Sequence, residues 1–186
     1  MKKTLLIILL AILGIGSGTA QSGKTTFKKV SGDGHYVLAD FRDIKWGSHV
    51  DSIYRDGVKL NFIASNEVTD KNAYVLANDE MMLGTVLLDK IFYLFNKQGR
   101  FTGVLLIGKR QIDEKKQFGE MKYILTYKFG EPELREVPGA VQYYWMVDDV
   151  RITLDDQESQ GIFTVEFYSD YERSESKKIN MNISDF

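Results

Sequence analysis

The chain has 186 residues, with 24 lysines and arginines against 26 acids, two histidines and no cysteine. The missing thiols exclude disulfides, a thiol nucleophile, iron–sulfur clusters and cysteine-ligated zinc, and with them the lipid that bacterial lipoproteins carry on a cysteine. A formal charge of −2 argues against nucleic acid, which needs a basic face, and against a polybasic hold on anionic lipid.

Lys2 and Lys3 open the chain, an apolar run follows from Leu5 to Ile15, and Gly16-Ser17-Gly18-Thr19-Ala20 ends it in small residues. That order is the basic, apolar and cleavage region of a secretory signal, so residues 1–20 are expected to be removed after Ala20. The run is shorter than the roughly 20 residues a membrane-spanning helix needs. No stable membrane insertion is expected after cleavage, and the protein is expected in the periplasm or the medium. Residues 21–34 read as a flexible leader, 35–169 as a single domain, and 170–186 as a polar tail.

Within the domain, His35 to Leu38 suits an early strand. Ser48 and Asp51 resemble a capping box, with Val50, Ile53 and Tyr54 at helical spacing and Gly57 as a stop, which predicts a first short helix. Strands are predicted over Lys59–Ala64, Ala73–Leu76, Thr85–Phe95 and Phe101–Ile107. The last two are apolar on both faces and belong in the middle of a sheet.

A second helix is predicted from Phe118, Met121, Ile124 or Leu125, and Phe129, spaced three and four apart and closed by Gly130 and Pro132. Three more strands follow: Gln142–Val147, Val150–Leu154 and Ile162–Ser169. Asp148-Asp149 joins the first two as a tight turn, and a polar loop from Asp155 to Gly161 joins the others. Alternation points Ile152, Leu154, Phe163, Val165 and Phe167 inward. Arg151, Thr153, Thr164, Glu166 and Tyr168 point outward. The expected fold is α+β, an antiparallel meander sheet with two main helices packed on one face. A duplicated α-β-β-β unit fits this order, although no residue-level repeat accompanies it. Trp46 and Trp145 are expected to anchor the two helices.

Phe41-Arg42-x-Ile44-x-Trp46-Gly47-x-x-Val50, then Phe92 to Phe95, then Leu125-x-Tyr127-x-Phe129-Gly130-x-Pro132 and Trp145 resemble a pattern of uncharacterised exported bacterial domains. In those a W-G-[ST] helix start and a Y/F-G-x-P helix exit bracket a small sheet. The element order is more distantly similar to the SmpA/OmlA outer-membrane assembly lipoproteins and to β-lactamase inhibitor protein. The resemblance covers roughly Phe41 to Tyr168 and implies a fold; its motifs cap and pack, so they carry no activity with them. The chain also departs from those proteins in having neither a lipidated cysteine nor cysteine pairs.

Gly18 to Thr25 matches G-x-x-x-x-G-K-[ST] literally. A phosphate-binding loop must lead into a helix within alternating βαβ units, whereas here glycines and hairpins follow and signal cleavage would cut the motif. His35 and His49 stand without partners suited to zinc or acid–base work, and Ser48 reads as a cap. Asp148-Asp149 and Asp155-Asp156-Gln157-Glu158 suit solvated turns, with weak calcium binding a lesser option. No cofactor is expected. The candidate binding surface is an open sheet face carrying Tyr144, Arg151, Thr153, Thr164, Glu166 and Tyr168. These readings favour a non-enzymatic exported binding or accessory module of the cell envelope, with an envelope protein or a glycan as partner. The alternative is an envelope hydrolase using dispersed carboxylates.

Overall fold

The computed structural model describes residues 27–29, 36–69, 71–109, 114–137 and 140–170. The proposed signal segment, the G-x-x-x-x-G-K-T match, His35, Tyr171 and nearly all of the polar tail lie outside them.

Short hairpins open the described chain. β1 (Phe27–Lys29) pairs with β2 (Tyr36–Leu38), β3 (Asp40–Phe41) with β4 (Ile44–Lys45), and β5 (Tyr54–Arg55) with β6 (Val58–Lys59). Then come β7 (Phe62–Ser65), β8 (Asn72–Leu76), the small pair β9 (Met82–Leu83) and β10 (Val86–Leu87), β11 (Lys90–Phe95) and β12 (Phe101–Lys109). The helix α1 (Glu114–Phe129) leads to β13 (Glu133–Val137), β14 (Ala140–Val147), β15 (Val150–Gln157) and β16 (Ile162–Ser169).

Eight of these strands form one antiparallel sheet in the order β13-β14-β15-β16-β12-β11-β8-β7. After β12 the chain crosses through α1 to the far edge, then meanders back until β16 lies against β12. That return places the helix over the strands it precedes. The apolar strands β11 and β12 sit centrally, as their two-sided hydrophobicity demands.

Register sorts the two faces. One row runs Trp145, Ile152, Phe167, Val104, Tyr93 across five strands, and the next runs Tyr143, Leu154, Val165, Leu106, Ile91. α1 covers part of this face with Met121 and Leu125, each at most 1% exposed. Phe118 meets Phe163 edge-on at 6.0 Å. The helix ends at Gly130, whose φ of +85° suits glycine and whose carbonyl accepts a 2.7 Å hydrogen bond from Trp145 Nε1. The N-terminal hairpins cover the remainder: Phe41 packs on Tyr93 and Phe167, and Trp46 stacks on Phe101 at 4.8 Å.

The two-helix expectation is overturned. Of the described residues 55% lie in strands and 16% in helical turns of any kind, so the fold is mostly β rather than α+β; α1 is the single α-helix among them, and neither two main helices nor a repeated α-β-β-β unit exists there. The predicted first helix is a 3-10 turn over Val50–Ser52. Its backbone is spent elsewhere: Gly47 and Val50 N–H donate to Phe101 and Gly99 carbonyls, and Phe101 N–H donates to Ser48. Those bonds pin the segment to the β11–β12 turn and hold His49 extended, so an i→i−4 ladder cannot form across it. His49, rather than Ser48, caps the turn, its Nδ1 accepting from Asp51 N–H at 3.3 Å. Gly57 closes a hairpin instead of a helix, with Asp56 and Gly57 at φ 50° and 78°. Trp46 therefore anchors a hairpin layer.

The strand expectations change as well: Lys59–Ala64 is split between β6 and β7. Thr85–Phe95 is broken into β10 and β11, because Leu88 N–H turns to the Met81 carbonyl. β15 continues through Asp155, Asp156 and Gln157, shortening the loop to the 3-10 turn Glu158–Gln160 and Gly161. β13, with four exposed residues, carries charges that suit an edge strand.

Candidate functional site

The opposite face of the sheet carries all six candidate binding residues. Tyr144, Thr153 and Glu166 stand in one row, continued by Leu105 and Phe92. Met146, Arg151 and Tyr168 stand in the next row, continued by Gly103, Leu94 and Ala73. Thr164 lies between Asp155 and Ile107. Exposure divides the set. Arg151 and Tyr168 are exposed and Thr164 and Glu166 half-buried, whereas Tyr144 and Thr153 are buried at 8% each.

A neighbouring charge covers Tyr144. The Arg135 guanidinium lies 3.3 Å from the Tyr144 ring centre and donates to Glu133 at 3.0 Å. This hydrogen bond holds the Glu133 carboxyl below its ordinary range and raises Arg135 above its own. Arg151 lies 5.0 Å from the Tyr168 ring, a cation resting on an aromatic wall. Gln142 donates to Asp155 at 2.9 Å.

The loop joining β7 to β8 folds back across this face as a strap. Glu67 pairs with Lys90, Lys71 pairs with Glu166, and Val68 packs on the small cluster of Ala73, Phe92 and Leu94. The strap covers the β8–β11–β12 part of the face, and Arg151 and Tyr168 beyond it stay exposed. Beside it opens a cleft of about 540 Å³, walled by Lys71, Asn72, Leu94, Lys97, Tyr168 and Asp170. A bulge shapes its floor: Phe95 faces Phe101 while Leu94 faces Gly103, and the extra residue, Thr102, donates its hydroxyl to the Leu94 carbonyl.

The other candidates fall outside this arrangement. His49 lies on the far side of the β11–β12 hairpin turn, bridged to Arg100 and stacked against Gly99. The two acidic turns sit at opposite ends of β15. Among the described residues no three His, Cys, Asp or Glu side chains gather as metal ligands. No helix among them is long and apolar enough to cross a membrane.

Sequence reasoning missed Lys71, Asn72 and Lys97, which sit in or beside loops and have no local pattern to mark them. It also missed a buried network. Arg42 Nη1 donates to Asp79 Oδ1 and the Tyr93 hydroxyl donates to Asp79 Oδ2, both at 2.7 Å, while Arg42 also reaches the Met82 carbonyl. No signal in single residues marks it.

No protein-family model and no curated protein matches the chain. Among solved structures it is similar to a DUF4309 family protein (YjgB) from Bacillus subtilis, at 10% identity and a TM-score of 0.36, over 57% of this chain and 68% of that one.

Proposed function

We infer that the protein is an exported, non-enzymatic binding or accessory module of the bacterial cell envelope, engaging an envelope protein or glycan through its open sheet face. One observation carries this reading: Arg151, Tyr168, Thr164 and Glu166 share the face turned away from α1, and a cleft opens beside Tyr168. A face braced by strands holds its side chains in place before a partner arrives, which lowers the ordering cost of binding. Export rests on the tripartite N-terminal segment.

Nothing favours the hydrolase alternative. Asp149 and Asp155 are six residues apart along one hairpin arm, roughly 20 Å at strand rise, whereas paired glycosidase carboxylates need about 5–9.5 Å.

The test is capture from a bacterial envelope extract on the immobilised protein. Wild type and Tyr127→Ala, on the helix side, should retain the same component, and Arg151→Ala/Tyr168→Ala should lose it. Equal retention by all three would remove the open face from the mechanism. N-terminal sequencing of protein exported by a bacterial host should begin at Gln21.

A further inference from the structure

The cleft beside the strap has a chemistry of its own, and assigning it a ligand rests on the binding-module reading. Its volume, about 540 Å³, lies in the roughly 300–1,000 Å³ range of small-molecule sites. Three kinds of group meet there. The first is an aromatic wall: Tyr168, 37% exposed, is backed by Arg151 on its ring. The second is a set of neutral polar groups. Asn72, whose amide N–H is fixed on the Asn96 carbonyl at 3.2 Å, lines the cleft together with Tyr168. The third is positive charge. Lys71 and Lys97 line the cleft against one carboxylate, Asp170. Lys71 is held by Glu166, whereas Lys97, in the β11–β12 turn, makes no ion pair among the described residues.

Each group selects a feature of the ligand. A tyrosine face takes the C–H side of a sugar ring, and fixed amide and hydroxyl groups take its equatorial hydroxyls. An ammonium at the rim with no ion-pair partner among the described residues takes an anionic substituent, and a charge-assisted contact of this kind is stronger than a neutral one. We propose that this cleft binds a carboxylate-bearing saccharide, with a sugar ring on Tyr168 and its carboxylate on Lys97.

The probe is a short oligogalacturonate, titrated calorimetrically into the purified protein beside a neutral galacto-oligosaccharide of equal length. The acidic oligomer should bind at least about tenfold more tightly, the weight of one charge-assisted contact. Lys97→Ala should remove that preference and flatten its salt dependence, and Tyr168→Phe should retain it. Tyr168→Ala should abolish binding of both oligomers, and circular dichroism checks that the variants remain folded. Equal affinity for the two oligomers would overturn the assignment. So would an unchanged titration in Lys97→Ala, or displacement of the oligomer by equimolar inorganic phosphate, which would leave only an anion site. If the acidic oligomer does not bind while envelope capture still depends on Arg151 and Tyr168, the saccharide assignment falls and the binding-module reading stands.

Discussion

Arg42 and Asp79 form a buried ion pair, 2.7 Å apart, with side chains 5% and 2% exposed. Asp79 also accepts from the Tyr93 hydroxyl, and the Arg42 carbonyl accepts from Arg55 Nη2 at 2.9 Å. Arg42 occupies the turn between β3 and β4 with φ of 52°. The network therefore ties the N-terminal hairpin layer to the loop after β8 and to the centre of the sheet. Buried charges survive only when paired and hydrogen-bonded, and here both partners are.

Removing one partner strands the other. Asp79→Ala should destabilise the fold by about 3–5 kcal/mol, the usual cost of an orphaned buried charge. Arg42→Met/Asp79→Leu should recover much of the loss, because the pair itself contributes little net stability. Urea denaturation of the single and double variants measures both. A double variant no more stable than Asp79→Ala would show that the turn geometry of Arg42 matters more than its charge.

Alkaline pH should loosen the same network. Burial, then the Asp79 charge, pushes the Tyr93 hydroxyl well above its ordinary pKa of 10.0. The folded state thus keeps a proton that the unfolded chain gives up. The associated stability is fully present below about pH 10 and is lost as pH rises through the raised folded value, by at most about 1.4 kcal/mol per pH unit. Melting curves from pH 8 to 11 should fall more steeply for wild type than for Tyr93→Phe, which has no such proton. Parallel curves would mean that the hydroxyl titrates alike in both states.

The helix and the open face should respond differently to truncation. Leu125, 1% exposed on the buried side of α1, should cost about 2–5 kcal/mol as alanine, through lost transfer energy and a cavity. Thr153→Ala should cost on the order of 1 kcal/mol, since its neighbours bury it. Thr164→Ala, half-exposed in the adjoining strand, should stay within about 0.5 kcal/mol. Equilibrium unfolding ranks the three, and a Thr164 loss as large as that of Leu125 would mean the supposed open face is covered.

Two glycines should respond with opposite signs. A Cβ on Gly108 would lie 2.0 Å from the Phe163 ring, so Gly108→Ala should destabilise by about 1–3 kcal/mol or more through overpacking. Gly119, within α1, meets nothing within 4 Å. Gly119→Ala should stabilise by about 0.5–1 kcal/mol by restricting the unfolded chain and favouring helix. Thermal melts of the two variants should move in opposite directions.

The elements legible in the sequence are those whose pattern is local. The 3–4 spacing of Phe118, Met121, Leu125 and Phe129 marks α1, since a helix brings those positions onto one stripe without help. The alternation of Ile152, Leu154, Phe163, Val165 and Phe167 likewise separates the two faces of β15 and β16, and with them the open face. The Asp56-Gly57 hairpin carries a local signal too, which the reading of Gly57 as a helix stop passed over: Asp-Gly favours positive φ at both turn positions, against the helical spacing of Val50, Ile53 and Tyr54.

What tertiary structure alone decided depends on partners far along the chain. Residues 47–50 form no α-helix because Gly99 and Phe101 take their hydrogen bonds, and local helical spacing cannot recover a backbone already bonded elsewhere. Arg42 meets Asp79 across 37 positions and Lys71 meets Glu166 across 95. Charged side chains at such separations read as solvated until the fold brings them together. The cleft has the same origin, since the strap, the β11–β12 turn and the end of β16 each supply only part of its wall. Periodicity determined which residues face inward, because it acts within one element. Pairing determined what those faces enclose, because the free energy of burying a charge or opening a cleft depends on every element that packs around it.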